Sequence, residues 1–205
     1  MTFVKICGLK EAEHVQTAVN AGANFIGFVF APSKREVSIE QAQALAKHIP
    51  ANIKKVGVFV NADATFLQDV YEKVPLDYIQ YHGDETNAFI QQIGLPAIKA
   101  FSIRTEADVL NATSYDVDYY LFDAPGTDYR GGSGHTFDWS LLEKSNIPRK
   151  KVILAGGLHC DNVAEAISFV QPFGVDVSSG VEQDGVKNYV LIERFLQAAK
   201  GAKTQ

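Results

Sequence analysis

The sequence predicts an α/β protein that folds as a single (β/α)8 barrel, or TIM barrel, over residues 1–205. Three observations support this prediction: short apolar runs alternate with longer amphipathic stretches, eight such pairs follow one another, and no linker or change of composition interrupts them. Strands separated by helices indicate βαβ units and a parallel sheet, and eight units close into a barrel.

Each unit joins one apolar run to one amphipathic stretch. The predicted strands are 2–7, 24–30, 54–60, 77–82, 97–102, 118–123, 151–155 and 174–178. The predicted helices are 11–21, 38–48, 63–73, 85–93, 105–112, 139–144, 161–170 and 188–199. An open doubly wound sheet is the alternative. It would need a glycine-rich dinucleotide-binding turn after the first strand, which Cys7-Gly8-Leu9-Lys10 is not.

Composition and charge exclude several classes of function. The chain is 46% apolar and 21% charged, as is ordinary for a globular protein. Its net charge of −5 argues against a nucleic-acid partner, because neutralising phosphates requires concentrated Lys and Arg. No apolar run reaches the roughly 18 residues of a membrane span, so we expect no membrane contact.

The N-terminus and the cysteines predict a cytoplasmic location. Met1 leads directly into a strand-like run without the pattern of a signal peptide. Cys7 and Cys160 are too few for a disulfide framework, and we expect both to be reduced thiols. The five histidines show no metal-ligand spacing, so no metal site is expected.

The active site of such a barrel lies at the carboxyl ends of its strands. The residues there are mostly small, polar or ionisable: Cys7-Gly8, Phe30-Ala31-Pro32, Asn61, His82-Gly83, Ser102, Asp123, Gly156-Gly157 and Ser178-Ser179-Gly180. Side chains alternate between the two faces of a strand. This alternation directs Cys7 and Asp123 toward the mouth of the barrel and puts Gln80 and His82 on the same face.

The same alternation places a lysine inside the barrel. Lys5 shares the interior face of the first strand with Cys7, and Asp176 and Ser178 share a face of the last strand. The first and last strands are neighbours in a closed barrel, and a buried lysine without a partner is costly. We therefore expect Lys5 to pair with Asp176 below the site.

Two segments near the C-terminus predict a phosphate site. Gly156 and Gly157 follow the seventh strand, and Ser178, Ser179 and Gly180 follow the eighth. Glycines let backbone N–H groups approach a phosphate, serines add hydroxyl donors, and these two loops form a phosphate site in many barrels. Either segment alone is also consistent with a tight turn. The glycine-rich stretch 131–135 after the sixth strand is expected to be a lid over the substrate.

Seven motifs occur in order over nearly the whole chain. They are Lys5-Ile6-Cys7-Gly8, Gly27-Phe28-Val29-Phe30, Val56-Gly57-Val58-Phe59-Val60-Asn61, Gln80-Tyr81-His82-Gly83, Gly131-Gly132-Ser133-Gly134 with Phe137-Asp138-Trp139, Ala155-Gly156-Gly157-Leu158, and Asp176-Val177-Ser178-Ser179-Gly180-Val181-Glu182. Together they resemble the motifs of the phosphoribosylanthranilate isomerase family of tryptophan biosynthesis.

The resemblance implies a role for each strand-end residue. Cys7 is implied as the general base, Asp123 as the general acid, and Arg35 as the cation that holds the anthranilate carboxylate of a phosphorylated substrate. Glu36 stands where the family has an aromatic residue or histidine, and its charge is expected to pair with Arg35 and weaken that contact. His82 is a further substrate-binding candidate, with loop orientation or simple hydrogen bonding as alternatives. The implied chemistry needs an acid and a base and no cofactor.

Three other functions are weighed. The histidine-pathway isomerase performs the same Amadori rearrangement that the resemblance implies, but we expect it to use two aspartates and to show a half-barrel repeat with two phosphate sites. No matching repeat is seen in this sequence, and its first strand ends in Cys7. A lyase would use Lys5 or Lys99 as a Schiff-base former, which the depth of Lys5 disfavours. A non-catalytic barrel that binds phosphometabolites is the third, and the joint presence of Cys7 and Asp123 argues against it. The expected oligomeric state is a monomer or a homodimer.

Overall fold

Eight parallel strands close into a barrel in a computed structural model that describes residues 2–125 and 136–202. The strands are β1 (Phe3–Cys7), β2 (Phe25–Val29), β3 (Lys54–Phe59), β4 (Tyr78–Tyr81), β5 (Ala97–Ser102), β6 (Tyr119–Asp123), β7 (Val152–Leu154) and β8 (Gly174–Val177). Lys5 on β1 is in register with Phe25 on β2 and with Asp176 on β8, which closes the ring. The predicted (β/α)8 barrel is confirmed.

Helices connect the strands over the outside of the barrel. They are α1 (Ala12–Asn20), α2 (Ile39–Ala46), α3 (Ala64–Lys73), α4 (Asn87–Ile93), α5 (Glu106–Ala112), α6 (Val163–Val170) and α7 (Tyr189–Gly201). The side chains of Ser38, Asp63, Thr86 and Asn188 begin four of them by accepting a hydrogen bond from the backbone N–H three residues later. Such caps satisfy N–H groups that have no partner within a helix.

Two local elements differ from the sequence prediction. Residues 139–144, predicted as a helix of the usual kind, form a 3-10 helix, Trp139–Lys144. After β8 the chain makes a 3-10 turn, Ser179–Val181, and then a two-stranded antiparallel hairpin of β9 (Glu182–Gln183) and β10 (Val186–Lys187). Its turn residues Asp184 and Gly185 both have positive φ, of 52° and 80°, the backbone that Asp-Gly hairpin turns favour.

The core has two layers, which follow from side-chain alternation. One layer lies between strands and helices and includes Val4, Ile6 and Phe122. The other fills the barrel interior below the site and includes Val56 and Leu121. Because the interior is filled by side chains, the barrel is a packed core and offers a ligand only its two ends.

Aromatic rings close the amino-terminal end of the barrel. Phe173 stacks on Phe3 and on Tyr119, with ring centroids 4.5 and 4.6 Å apart, and Phe25 packs edge-on against the same group. Stacked and edge-on pairs of this kind add stability beyond the apolar area they bury. The carboxyl ends of the strands, where the polar residues lie, are therefore the open end.

Two absences concern the parts of the chain that the structure describes. No helix within the described residues is long and apolar enough to cross a membrane. Residues 2–125 and 136–202 also contain no group of three or more His, Cys, Asp or Glu side chains placed to hold a metal ion.

Candidate active site

The predicted ion pair inside the barrel is confirmed. The Lys5 Nζ lies 2.9 Å from the Asp176 Oδ1, and Lys5 is only 1% exposed. Burial alone would lower the pKa of Lys5, but the charge of Asp176 and hydrogen bonds to its neighbours outweigh burial and raise this pKa. Lys5 is therefore a buried ammonium ion at physiological pH.

Cys7 ends β1 on the same interior face, close enough to the ammonium of Lys5 for each group to affect the pKa of the other. Gly27 on β2 makes room for both groups. A Cβ at that position would lie 2.8 Å from the Cys7 Sγ and 3.2 Å from the Lys5 Nζ. The glycine of this motif thus permits the contact between the thiol and the ammonium ion.

The protonation of Cys7 is set by opposing effects. Cys7 is 7% exposed, and burial raises the pKa of its thiol, while the positive charges of Lys5 and Lys187 lower it and the negative charge of Asp176 raises it. Burial outweighs the cations, so the pKa of Cys7 stays above its usual range. In the absence of ligand Cys7 is a thiol that has two cations nearby to stabilise its conjugate base.

Asp123 ends β6, with only 5% of its surface exposed. The His82 Nε2 lies 3.4 Å from the Asp123 Oδ2, and the Gln80 Nε2 lies 3.0 Å from the His82 Nδ1. The predicted shared face of Gln80 and His82 is therefore observed, and it leads to the proposed acid. Cys7 on β1 and Asp123 on β6 lie on opposite sides of the mouth, because even the shorter path around the ring from β1 to β6 passes both β8 and β7.

The amide of Gln80 determines which imidazole nitrogen carries a proton. With its Nε2 donating to the His82 Nδ1, a neutral imidazole bears its hydrogen on Nε2, the nitrogen that lies 3.4 Å from the Asp123 Oδ2. The Gln80 Oε1 is buried without a partner among the described residues. If the Gln80 amide were rotated by 180°, its Oε1 would accept a hydrogen bond from the His82 Nδ1–H. The His82 Nε2 would then carry no hydrogen and could accept a proton from Asp123.

Arg35 follows β2 and does not pair with its neighbour Glu36. Its Nε and Nη2 donate to the two carboxylate oxygens of Glu182, at 2.6 and 2.9 Å, across 147 positions of sequence. The expectation that Glu36 would neutralise Arg35 is wrong, because the hairpin after β8 brings a better-placed carboxylate to the guanidinium. Parallel hydrogen bonds between guanidinium and carboxylate are both strong and directional.

Glu182 also binds two lysines, which the sequence did not indicate as site residues. The Lys187 Nζ lies 2.7 Å from its Oε1 and the Lys34 Nζ 3.4 Å from its Oε2. Burial alone would raise the pKa of Glu182, but hydrogen bonds from Arg35 and the charge of Lys187 prevail and hold this pKa at about 2. Burial lowers the pKa of Lys187 in spite of Glu182. The Asp-Gly turn signals the hairpin, but nothing local signals this cluster.

The two candidate phosphate segments touch one another. Gly156 and Gly157 have positive φ, of 84° and 61°, and a Cβ on Gly180 would collide with the carbonyl of Leu158. Gly180 is therefore required by the close approach of these two loops, whatever they bind. Gly156 is required by its positive φ and by the backbone of Ala124 after β6, with which its Cβ would collide. The Ser178 hydroxyl donates to the Cys7 carbonyl at 3.2 Å, and the Lys187 Nζ donates to the Ser178 carbonyl at 2.8 Å.

The structure tests the lyase hypothesis and does not test the lid hypothesis. Lys99 lies on the outer face of β5, where its Nζ donates to the carbonyls of Gly83 and Ala100 at 2.9 Å and lies 3.5 Å from Glu85. A buried lysine whose Nζ has these partners does not suit the lyase hypothesis. The glycine-rich stretch 131–135 lies outside the described residues.

A cavity of about 240 Å³ beside His82 is lined by Lys99, Ser102 and Tyr115 among others, and neither Cys7 nor Asp123 lines it.

Comparisons with known proteins identify the family. Residues 4–198 match the family model for N-(5'phosphoribosyl)anthranilate (PRA) isomerase. The chain is 50% identical over 201 residues to N-(5'-phosphoribosyl)anthranilate isomerase of Listeria welshimeri, covering 98% of this chain and all of the relative.

Solved structures give the same result. Phosphoribosyl anthranilate isomerase from Thermotoga maritima superposes with a TM-score of 0.89 at 38% identity, covering 98% of this chain and 100% of that one. A phosphoribosyl anthranilate isomerase in complex with reduced 1-(o-carboxyphenylamino)-1-deoxyribulose 5-phosphate superposes with a TM-score of 0.86 at 37% identity and the same coverage. The chain belongs to the phosphoribosylanthranilate isomerase family.

Proposed function

We propose that this chain catalyses the Amadori rearrangement of N-(5-phosphoribosyl)anthranilate to 1-(2-carboxyphenylamino)-1-deoxyribulose 5-phosphate, a step of tryptophan biosynthesis. One observation carries the proposal: Cys7 and Asp123 end strands on opposite sides of the barrel mouth, and each has its own polar partners. The 50% identity to a named isomerase over nearly the whole chain supports it.

The reaction needs one acid and one base on different sides of a sugar. Asp123 gives a proton to the ribose ring oxygen as the C1–O bond breaks, which leaves an iminium at C1. Cys7 then removes the proton from C2, and the resulting enolamine tautomerises to the ketone. General acid and base catalysis account for these steps, so the proposed mechanism uses no metal and no redox cofactor.

The base requires a thiolate, although the unliganded site favours the thiol. Lys5 stays charged beside Cys7 and is held there by Asp176. Its ammonium stabilises the thiolate more than the thiol, because a nearby opposite charge favours the charged form. The positive iminium formed at C1 adds to this effect at the moment when the base is needed.

The two ends of the substrate carry negative charge, and the site has cations to meet them. Arg35, Lys34 and Lys187 surround the single carboxylate of Glu182, so the cluster keeps two positive charges in excess, three minus one. We assign the anthranilate carboxylate to Arg35. The phosphate is assigned to the loops of Gly156–Gly157 and Ser178–Gly180, and His82 is proposed to contact both Asp123 and the substrate.

Location and assembly complete the proposal. Cys7 and Cys160 are both free thiols, as a reducing cytoplasm would keep them. We propose a cytoplasmic enzyme whose partner is a phosphorylated small molecule and which acts as a monomer or a homodimer. Sedimentation of the purified protein distinguishes the two assemblies.

The decisive experiment supplies freshly made phosphoribosylanthranilate to the purified enzyme and follows the loss of its fluorescence. We expect conversion to the ketose at catalytic enzyme concentrations. Conversion of the corresponding histidine-pathway substrate is measured in parallel, and activity on that substrate alone would favour the other isomerase. Absence of any conversion at micromolar enzyme, together with stoichiometric binding, would favour a phosphometabolite-binding protein.

A further inference from the structure

We propose that Glu182 is a positioning residue that makes the site selective for carboxylated substrates by fixing Arg35 with one edge of its guanidinium free. The inference rests on the proposed function, because it concerns the same carboxylate. It starts from two hydrogen bonds, from the Arg35 Nε to the Glu182 Oε1 at 2.6 Å and from the Arg35 Nη2 to the Glu182 Oε2 at 2.9 Å.

The guanidinium group is planar and has two edges that can bind a carboxylate with paired hydrogen bonds. Glu182 occupies the edge formed by Nε and Nη2. The second edge, formed by Nη1 and the other hydrogen of Nη2, points away from Glu182 in the same plane. A carboxylate that approaches along this direction meets two parallel donors, whereas a neutral ring substituent cannot accept both.

The aliphatic part of the Arg35 side chain is held in place as well as its guanidinium group. A Cβ on Gly8 would lie 2.6 Å from the Arg35 Cδ and 3.2 Å from its Cβ, so the arginine packs directly on the backbone of Gly8. Gly8 follows Cys7 in the chain. The position of the guanidinium is thus defined relative to the base, and little side-chain entropy remains to be lost when substrate binds.

The negative charge of Glu182 does not cancel the attraction of Arg35 for a substrate carboxylate, because two lysines also pair with Glu182. Lys187, which is buried, bonds the Glu182 Oε1 at 2.7 Å and Lys34 approaches the Oε2. Lys187 also bonds Ser178 in the adjoining loop. Glu182 is therefore held by two lysines as well as by Arg35, and the cluster of these four residues as a whole stays cationic.

The test compares two substrates in the variant Glu182→Gln. One is phosphoribosylanthranilate, and the other is N-(5-phosphoribosyl)aniline, which lacks the carboxylate. Glutamine keeps one acceptor, loses the charge and turns an N–H₂ group toward the guanidinium, so Arg35 is released. We expect kcat/KM for the carboxylated substrate to fall about 10- to 100-fold, mainly through KM, the size of a lost charge-assisted pair. We expect the aniline substrate to change less than about threefold.

Two further variants serve as controls for the comparison of the two substrates. Arg35→Ala should show the same substrate pattern, and adding Glu182→Gln to it should cause no further loss, because the two residues act as one unit. Asp184→Asn changes an exposed carboxylate on the same hairpin and should leave both substrates unaffected.

Binding of reduced 1-(o-carboxyphenylamino)-1-deoxyribulose 5-phosphate and of its phenylamino counterpart, measured by calorimetry, gives the same ratio without turnover. A wild-type enzyme that binds both compounds but converts neither substrate would contradict the proposed function while leaving the positioning role to be judged by the binding ratio. Equal losses for the two compounds in Glu182→Gln, or no loss for either, would overturn the positioning role.

Discussion

The two sides of the barrel mouth differ in the charged groups that surround the proposed base and the proposed acid. On the side of β1 and β8, Cys7 lies among two lysines and a carboxylate, and the neighbouring Arg35 is tied to Glu182. On the side of β4 and β6, Asp123 meets one imidazole, and no lysine or arginine of the described residues lies within ion-pair distance of it. A thiol needs nearby cations to become a base, because a positive charge favours the thiolate over the thiol. The asymmetry therefore matches the proposed division of labour.

The largest expected effect comes from removing either proposed catalytic group. Cys7→Ala and Asp123→Asn should each lower turnover by at least ~10²-fold, because each removes a proton-transfer group that acts in the transition state. Steady-state kinetics on phosphoribosylanthranilate measure the loss, and circular dichroism with thermal melting shows whether the fold persists. Near-normal turnover in either folded variant would remove that residue from the mechanism and, with it, the comparison of an acid side with a base side.

Removing the cation under the base should move the pH dependence. In Lys5→Met the ammonium that lowers the pKa of Cys7 is gone, so this pKa rises further and the ascending limb of kcat/KM shifts to higher pH. At neutral pH we expect a loss of about tenfold for each unit of that shift. The pH–rate profile is the measurement, and an ascending limb at the wild-type position would show that Lys5 does not act on Cys7.

The control for this variant is Lys5→Met with Asp176→Asn. The single variant leaves the Asp176 carboxylate buried without its partner, which costs about 3–5 kcal/mol of stability. The double variant removes that charge too, and with it an effect that raises the pKa of Cys7. We expect the double variant to recover most of the stability and part of the pH shift.

A smaller effect is expected on the acid side. His82→Asn should lower turnover about tenfold, because the imidazole orients the Asp123 carboxyl and offers it a proton partner but is not itself the acid. In an Asp123→Asn background the same change should cost little more, since residues that act as a unit are not additive. Full additivity of the two losses in kcat would mean that His82 works independently of Asp123.

Sequence patterns predicted the barrel well because its signals are local and repeated. Alternation within β1 and β8, together with closure of the ring, was enough to pair Lys5 with Asp176. The contacts of Arg35 could not be predicted in this way. Its partner Glu182 is 147 positions distant, and the pairing depends on how a short hairpin folds back, so the neighbouring Glu36 was the partner expected from sequence. Contacts between distant backbone segments likewise explain Gly156, which lies against Ala124, and Gly180, which lies against Leu158. From the sequence, these glycines indicate only a phosphate site or a turn.

The last prediction concerns stability in acid and directly tests the ionic character of the base side. The folded pKa of Glu182 is about 2, against an ordinary value of 4.5. A depressed folded pKa contributes stability that is fully present above about pH 4.5 and is lost as the pH falls toward 2. The difference corresponds to roughly 3 kcal/mol. Urea unfolding of the wild type and of Glu182→Gln at pH 7, 4 and 3 should therefore show a gap in unfolding free energy that narrows with acid, because glutamine does not titrate. A gap that stays constant would mean that Glu182 contributes through packing, and the contrast between the two sides of the mouth would then rest on Lys5 and Asp176 alone.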